Sequence, residues 1–566
     1  MLNLKAALEG DVRAGLEAAL GAGELAGVGD IPKIVIERPQ AERGDYASPI
    51  ALALAKKTGK KPLEIVEIIA KHMPKKEYVG RLKGEEPGFL NIYLNPGWLT
   101  ARLDDITEQD ICADIGVGAG KSVNLEFISA NPTGPLTLGN VRTAFTADTL
   151  GNVLECAGYN VTREYYFNDA GEQIRKLGQS AARRELQARG EDVSYADDLY
   201  QGDYVRDVAA VIAEKLRENE GKELVVVDLE DAAMIERVGR EAAVLLMTEI
   251  KKMISEDLKI EFDSWISEQQ IRESGAVDEV LEKLKAVGDV YEKDGALWFA
   301  ARKYGDEKDK VLVKSGGEYA YITPDLGYHK DKFDRGFDYI FTFLGADHQD
   351  QVSKIRGAMR SLGYDVDKLY FPIGQWFRLI RDGKPVTLSK RAGHIATPRD
   401  LIAEVGYDAA RFFMVQHKLD THMDFDLNLA KERSDKNPVY YVQYAYVRLQ
   451  SILRRAKQEG MIEHLGMHVE AAERPALTHT LELELMRQLY RLAEVIADIA
   501  VSFEAHRLAY YAQDLAKSVH VFYKHVPVLA TEDKNILRSR LQLVYAAREV
   551  LSRTLNLLGV SKPEVM

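Results

Sequence analysis

The spacing of apolar positions changes character along the chain. The first hundred or so residues mix two periods. They predict an amphipathic helix in MLNLKAALEGDVRAGLEAAL, a strand in IPKIVIE, a loop through QAERGDYASPIALALAKKTGKKP, a helix in LEIVEIIAKHM and a strand pair around PGFLNIYL. Thr58-Gly59-Lys60-Lys61-Pro62 interrupts the helical pattern between them. Near residue 120, Val123, Leu125 and Phe127 alternate with Asn124 and Glu126, the two-residue period of a strand. Val141, Ala144, Phe145, Leu150, Val153, Leu154 and Ala157 then recur at helical spacing, with Gly158 as the stop. NVTREYYF is the next strand, so this β-loop-α-β run is half of a doubly wound sheet. A charged stretch from about 180 to 300 interrupts it and predicts helical insertions with a small β-element. Strand–helix alternation resumes with EYAYITPD, DYIFTFLGADH, a helix through VSKIRGAMRSLG, and LYFPIGQWFRLI. From Asn437-Pro438, a cap followed by an N1 proline, the chain is almost wholly helical. The fold class expected is multidomain α/β. A doubly wound parallel-sheet core with insertions, residues 113–433, follows an N-terminal α+β domain, 1–112, and precedes an all-α bundle, 434–566.

Composition narrows the function classes. The 566 residues allow three or four domains at roughly 100–200 residues each. No apolar run approaches the roughly 18–20 residues that span a bilayer. The first residues carry Glu9, Asp11 and Glu17, unlike a secretory signal. Cys112 and Cys156 make neither a disulfide framework nor a zinc set, so a cytoplasmic protein with reduced thiols is expected. The net charge of −13 by itself argues against a nucleic-acid partner. It is unevenly placed, however. Residues 437–566 hold 16 Lys and Arg against 14 Asp and Glu, a balance of +2 that leaves −15 on the remainder. That pattern is compatible with a large anionic ligand touching some faces of the molecule.

Two loops carry candidate chemistry. FISANPTGPLTLGNVRTA brings backbone and small side chains to a helix start, where free N–H groups and the helix dipole favour a phosphate. Gly139 there lets a ligand approach the backbone closely. In VTLSKRAGHIATPRDL, Ser389, Lys390 and Arg391 precede Ala392-Gly393 and a Thr397-Pro398 helix start, a mobile lysine suited to a phosphate that changes geometry. Either loop alone also reads as an ordinary connection.

Together the loops resemble the paired signatures of class I aminoacyl-tRNA synthetases, and the detail is similar to the arginyl-tRNA synthetase family. EYYFNDAGEQI, YITPDLGYHKDKF, LGADHQDQV and SDKNPVYYVQYAYVRLQSILRRA resemble that family's blocks in order. HRLAYYAQDLAKSVHVFYKH, the ending LGVSKPEVM and the early RGDYASPIALALAKKTGKKP do so too, and the resemblance covers essentially the whole chain. It implies that 1–112 is an additional tRNA-binding domain and 434–566 an anticodon-binding domain. It implies arginine contacts at Glu126, Ser129, Asn131, Tyr321, Asp325 and Gln375. A guanidinium needs carboxylate and hydroxyl acceptors, which these supply. ATP contacts are implied at Pro135, Leu136, Thr137, Leu138, Gly139, Asn140, Gly345, Asp347, His348, Ser389 and Lys390. Of these, Thr137, Gly139, Asn140 and Lys390 carry the catalysis, and Tyr446, Arg448 and Arg391 meet tRNA. Tyr440 and Tyr444 with Val447 also make an i, i+4, i+7 stripe that reads as core.

Two departures stand out. Thr137-Leu138-Gly139-Asn140 replaces the family's His-x-Gly-His, and Thr137 and Asn140 cannot carry positive charge. Uncompensated, the loss is on the order of 10- to 1000-fold in rate. Thr387-Leu388-Ser389-Lys390 lacks the first lysine of Lys-Met-Ser-Lys, and Thr133-Gly134 supplies no lysine before the first signature. The implied activity is ATP-dependent ligation of L-arginine to tRNA(Arg) through arginyl-adenylate, with tRNA bound during adenylation. ATP arrives with Mg2+ and no protein metal cage. No membrane partner and a monomeric state are expected. The alternatives are a catalytically impaired tRNA-binding paralogue and a class I enzyme for another amino acid.

Overall fold

The computed structural model describes residues 2–39, 43–108, 110–113, 115–220, 228–388, 395–462 and 475–566. The chain forms two compact units. One comprises Gly120–Glu155 and Tyr159–Glu432; the other comprises Met1–Ala119, Cys156–Gly158 and Arg433–Met566.

The first is built on a five-stranded sheet. Its order is Leu369–Tyr370, Tyr339–Thr342, Ser122–Glu126, Asn160–Phe167 and Ser264–Ser267, with every neighbouring pair parallel. Ser122–Glu126 is central. The chain winds from it to one side and then crosses to the other, and that reversal opens a crevice beyond the strands' carboxyl ends. In that strand the polar members of the alternating pattern are buried as well as the apolar ones, Asn124 included, because a parallel sheet is covered on both faces. Helix Leu138–Cys156 follows, and Gly158 at φ +92° ends the run as expected.

Three expectations need correction here. Ser264–Ser267 lies within the stretch read as insertion, yet it is the sheet's edge strand; four residues are too few to show a period. The small β-element is the antiparallel trio Val290–Lys293, Ala296–Phe299 and Lys310–Val313. EYAYITPD is not a strand: Tyr321 is the N-cap of helix Ile322–Asp334. Pro324 is tolerated there because first-turn N–H groups have no helical acceptor. LYFPIGQWFRLI divides into Leu369–Tyr370, Ile373–Gly374 and Phe377–Arg381, each in a different sheet.

In the second unit, Tyr46–Ser48, Phe89–Leu94 and Val79–Glu85 form an antiparallel sheet against helices Leu4–Gly21, Ile50–Thr58 and Pro62–His72. IPKIVIE makes no strand, only an isolated bridge from Glu37 to Ala47. The stretch read as a loop contains Tyr46–Ser48 and Ile50–Thr58. The same unit holds helices Pro438–Gln458, Thr480–Ser502, His506–His525 and Lys534–Leu558. Ion pairs Arg38–Glu494 and Arg487–Asp45 join its sequence-distant parts. Asn437 caps Pro438–Gln458 by accepting from Val439 N–H and Tyr440 N–H. That helix buries Val439, Val442, Ala445, Val447, Leu449 and Leu453, so Tyr440 and Tyr444 are half-buried at the margin and not core. The thiol expectation is overturned: Cys112 and Cys156 form a disulfide, their Cα atoms 4.5 Å apart. Among the described residues no helix is long and apolar enough to cross a membrane.

Candidate functional site

The switch-point crevice is a cavity of about 1070 Å³. Its floor is the end of strand Ser122–Glu126, where Glu126 pairs in register with Thr342. Ile128 and Ser129 follow with φ of +66° and +43°. Two consecutive left-handed residues that are not glycine, one of them β-branched, cost roughly 1–3 kcal/mol each. The turn they make brings Ser129 Oγ within 2.9 Å of Glu126 Oε1, to which it donates. Nothing in the residue types announces this turn.

Three of the cavity's four carboxylates act on one another, Glu126, Asp325 and Glu268, while the fourth, Asp347, stands beside His348. Glu126 Oε2 accepts from the fully buried Lys332 ammonium at 2.5 Å and from Thr342 Oγ1 at 3.0 Å. Glu268 accepts from Arg272 Nε at 2.9 Å and from Tyr166 OH at 2.9 Å. Asp325, in the first turn of helix Ile322–Asp334, has no described side chain bonded to its carboxyl group. Burial, and then the neighbouring Glu268 and Glu126 charges, push its pKa well above the ordinary carboxylate range, with Lys332 opposing. Charge by charge, Glu126 is offset by Lys332 and Glu268 by Arg272. Within this trio Asp325 is left without a counterion among the described residues, which suits one monovalent cation. Beneath it His329 is held neutral, its pKa pushed down to about 3 by burial and then by Lys332. Its Nδ1 meets the Asp325 carbonyl at 2.8 Å.

At the cavity's other end, helix Leu138–Cys156 begins. Thr137 donates from its N–H and from Oγ1 to Asn140 Oδ1, at 3.0 and 3.1 Å. This bracket orients the Asn140 amide so that Nδ2, with no acceptor among the described residues, remains a donor. Leu138 N–H donates to Ala396 O at 3.2 Å, tying the first loop to the end of the second. Thr397 caps helix Pro398–Val405 in a reciprocal capping box with Asp400, the start expected from Thr397-Pro398.

The expected positions Glu126, Ser129, Asn131, Thr137, Leu138, Gly139, Asn140, Tyr321, Asp325, Gly345, Asp347, His348 and Gln375 all line this one cavity. Leu136 is instead fully buried and anchors the loop, and neither it nor Pro135 is among the lining residues. Ser389, Lys390 and Arg391 lie outside the described residues. Tyr446 and Arg448 lie in the other unit, on helix Pro438–Gln458, where Arg448 sits 4.4 Å from the Tyr444 ring centroid and 4.9 Å from that of Tyr523. Sequence reasoning missed Glu268, Arg142 and Trp376, which also line the cavity, and Lys332 beneath it. Glu268 and Lys332 read as surface charges in EQQIRE and HKDKFD, and no local pattern distinguishes them.

Among the described residues, no group of three or more His, Cys, Asp or Glu side chains could hold a metal ion. Three family models match the chain. They are the arginyl tRNA synthetase N terminal domain over residues 7–94, the class I (R) tRNA synthetase catalytic domain over 103–432 and the DALR anticodon binding domain over 442–566. An arginine–tRNA ligase of Heliobacterium modesticaldum is 41% identical over 97% of each chain. One from a Geobacter species is 38% identical over the full length of both. The arginyl-tRNA synthetase of Thermus thermophilus shares the fold over the whole of both chains, with a TM-score of 0.76 at 22% identity.

Proposed function

The chain belongs to the class I arginyl-tRNA synthetase family, and on that premise we propose how its own residues ligate L-arginine to tRNA(Arg). The observation that carries the reading is the uncompensated Asp325 in a cavity that also contains a helix start bracketed by Thr137 and Asn140. The guanidinium of arginine is the counterion that Asp325 lacks, and Tyr321 and Glu268 flank it. Glu126, already satisfied by Lys332, shapes the pocket and holds Ser129. Asn131 and Gln375 hold the α-amino and carboxylate end.

ATP enters as its Mg2+ complex. Its phosphates lie against the Gly139 N–H at the helix start, with the Asn140 side-chain amide and the Lys390 ammonium as further donors, and Asp347 and His348 border the adenosine. The carboxylate oxygen of arginine attacks the α-phosphorus, the bond to the β-phosphate oxygen breaks, and pyrophosphate leaves. A 2′-hydroxyl at the tRNA 3′ end then attacks the arginyl carbonyl carbon. AMP departs and the hydroxyl proton passes to solvent. Catalysis is by positioning and charge, with no covalent enzyme intermediate. Residues 1–112 and 434–566 bind the tRNA body and anticodon, Tyr446 and Arg448 among their contacts. The chain acts as a monomer.

The test is tRNA-dependent incorporation of labelled arginine, with lysine and citrulline as controls. Transfer of arginine alone is expected. No charging across a range of Mg2+ and ATP concentrations, with tRNA still bound, leaves the binding-only paralogue. Lys390→Ala is expected to slow ATP–pyrophosphate exchange about 10- to 100-fold, the worth of a charged hydrogen bond. An unchanged rate removes Lys390 from the mechanism.

A further inference from the structure

The signature helix has lost two cationic side chains, yet a cation stands two residues further on. Arg142 is 1% exposed and lines the cavity. Its Nη1 donates to Gln375 O at 3.0 Å and Thr421 O at 2.7 Å, and its Nη2 donates to Lys418 O at 2.6 Å. Its Nε has no acceptor among the described residues. Carbonyl oxygens satisfy hydrogen bonds but do not neutralise charge. Among the described residues no carboxylate lies within ion-pair distance of it. The nearest one felt is Asp420, which faces Lys418 at 3.8 Å. Burial lowers the guanidinium's pKa to about 10, so it stays charged at neutral pH. Its field reaches His417, whose pKa is pressed down by burial and then by Arg142. A buried cation without a counterion is unfavourable in isolation. It is balanced once a polyanion occupies the same cavity.

We propose that Arg142 is a positioning residue for arginyl-adenylate formation, in two linked ways. It clamps the start of helix Leu138–Cys156 to the backbone of Gln375, and it supplies beside the phosphates a fixed positive charge that Thr137 and Asn140 cannot carry. The inference rests on the reading of the cavity given above. Its two parts separate by chemistry. An ammonium at this position keeps the charge but cannot reach three carbonyls in the fixed fork of a guanidinium. A thioether keeps the bulk and neither property.

The experiment is ATP–pyrophosphate exchange with tRNA(Arg) present, normalised by active-site titration, on the wild type, Arg142→Lys and Arg142→Met. Arg142→Met is expected to lower the rate per active site roughly 10- to 100-fold and to raise the KM for arginine several-fold. Arg142→Lys is expected to recover most of the rate but not the KM. The idea is overturned if Arg142→Met loses only active-site count and melting temperature, with kcat and KM per active site unchanged. If Arg142→Met does not fold, an unchanged arginine KM in Arg142→Lys overturns it equally. Failure of the wild type itself to catalyse exchange would sink the functional reading instead, before any Arg142 variant is compared.

Discussion

Asp325→Asn is expected to cut arginine use by about two to three orders of magnitude while making the unliganded protein more stable at neutral pH. The two effects share one cause. Asp325 has its pKa raised by burial and by the Glu268 and Glu126 charges. A carboxyl group whose folded-state pKa lies above its unfolded value stabilises the fold in its protonated form. That contribution is present at acid pH and is lost as pH rises through the folded value. Above that point an ionised carboxylate sits without a counterion. Asparagine removes the charge, so the melting temperature of the empty protein rises. Arginine binding reverses the balance, because the guanidinium stabilises the ionised form and displaces the proton. Arginine affinity in the wild type is therefore expected to increase with pH up to the raised pKa and then level off. In Asp325→Asn the profile is flat and kcat/KM falls by roughly 100- to 5000-fold, the 3–5 kcal/mol of a buried charge left unpaired. Calorimetric titration in buffers of different ionisation heat counts the released proton directly. An arginine KM within threefold of wild type in Asp325→Asn would remove Asp325 from the guanidinium pocket.

Lys332→Met is expected to be the most destabilising single change at the site. The Lys332 ammonium is fully buried against Glu126 and donates to Thr342 Oγ1 at 3.1 Å. Removing it strands Glu126, which is itself almost completely buried, at a cost of about 3–5 kcal/mol. Urea denaturation reads this as a fall in midpoint. Glu126→Gln in the same background is expected to restore most of it, giving a strongly non-additive double-mutant cycle. Lys332 is also the charge that holds the Asp325 pKa down. Its loss therefore shifts the pH dependence of arginine binding toward alkaline pH. Additive effects of the two substitutions, or an unmoved pH profile, would show that the pair does not act as a unit.

The positions that line the cavity were largely legible because their chemistry is local. A Gly-Asn helix start, a Thr-Pro cap and the residues of the resembling blocks are each specified within a few positions. The support behind them was not. Glu126 reads as a guanidinium acceptor in the sequence, and the Lys332 ammonium that pairs with it was not foreseen. The strained turn at Ile128 and Ser129 uses residue types that disfavour it, so no propensity points there.

The sequence by itself determined the central strand–helix–strand run, Ser122–Glu126, Leu138–Cys156 and Asn160–Phe167, and the loops that follow its strands' carboxyl ends. It did so because the periods of 2 and 3.6 and the turn residues act over a handful of neighbours. The tertiary structure alone decided which charges cancel. Lys332 with Glu126 and Arg142 with three carbonyls are set by burial and by partners hundreds of residues away. It likewise joined Cys112 to Cys156, 44 residues apart. Whether a carboxylate awaits a cation depends on which neighbours share its low-dielectric surroundings, and only the folded chain brings those neighbours together.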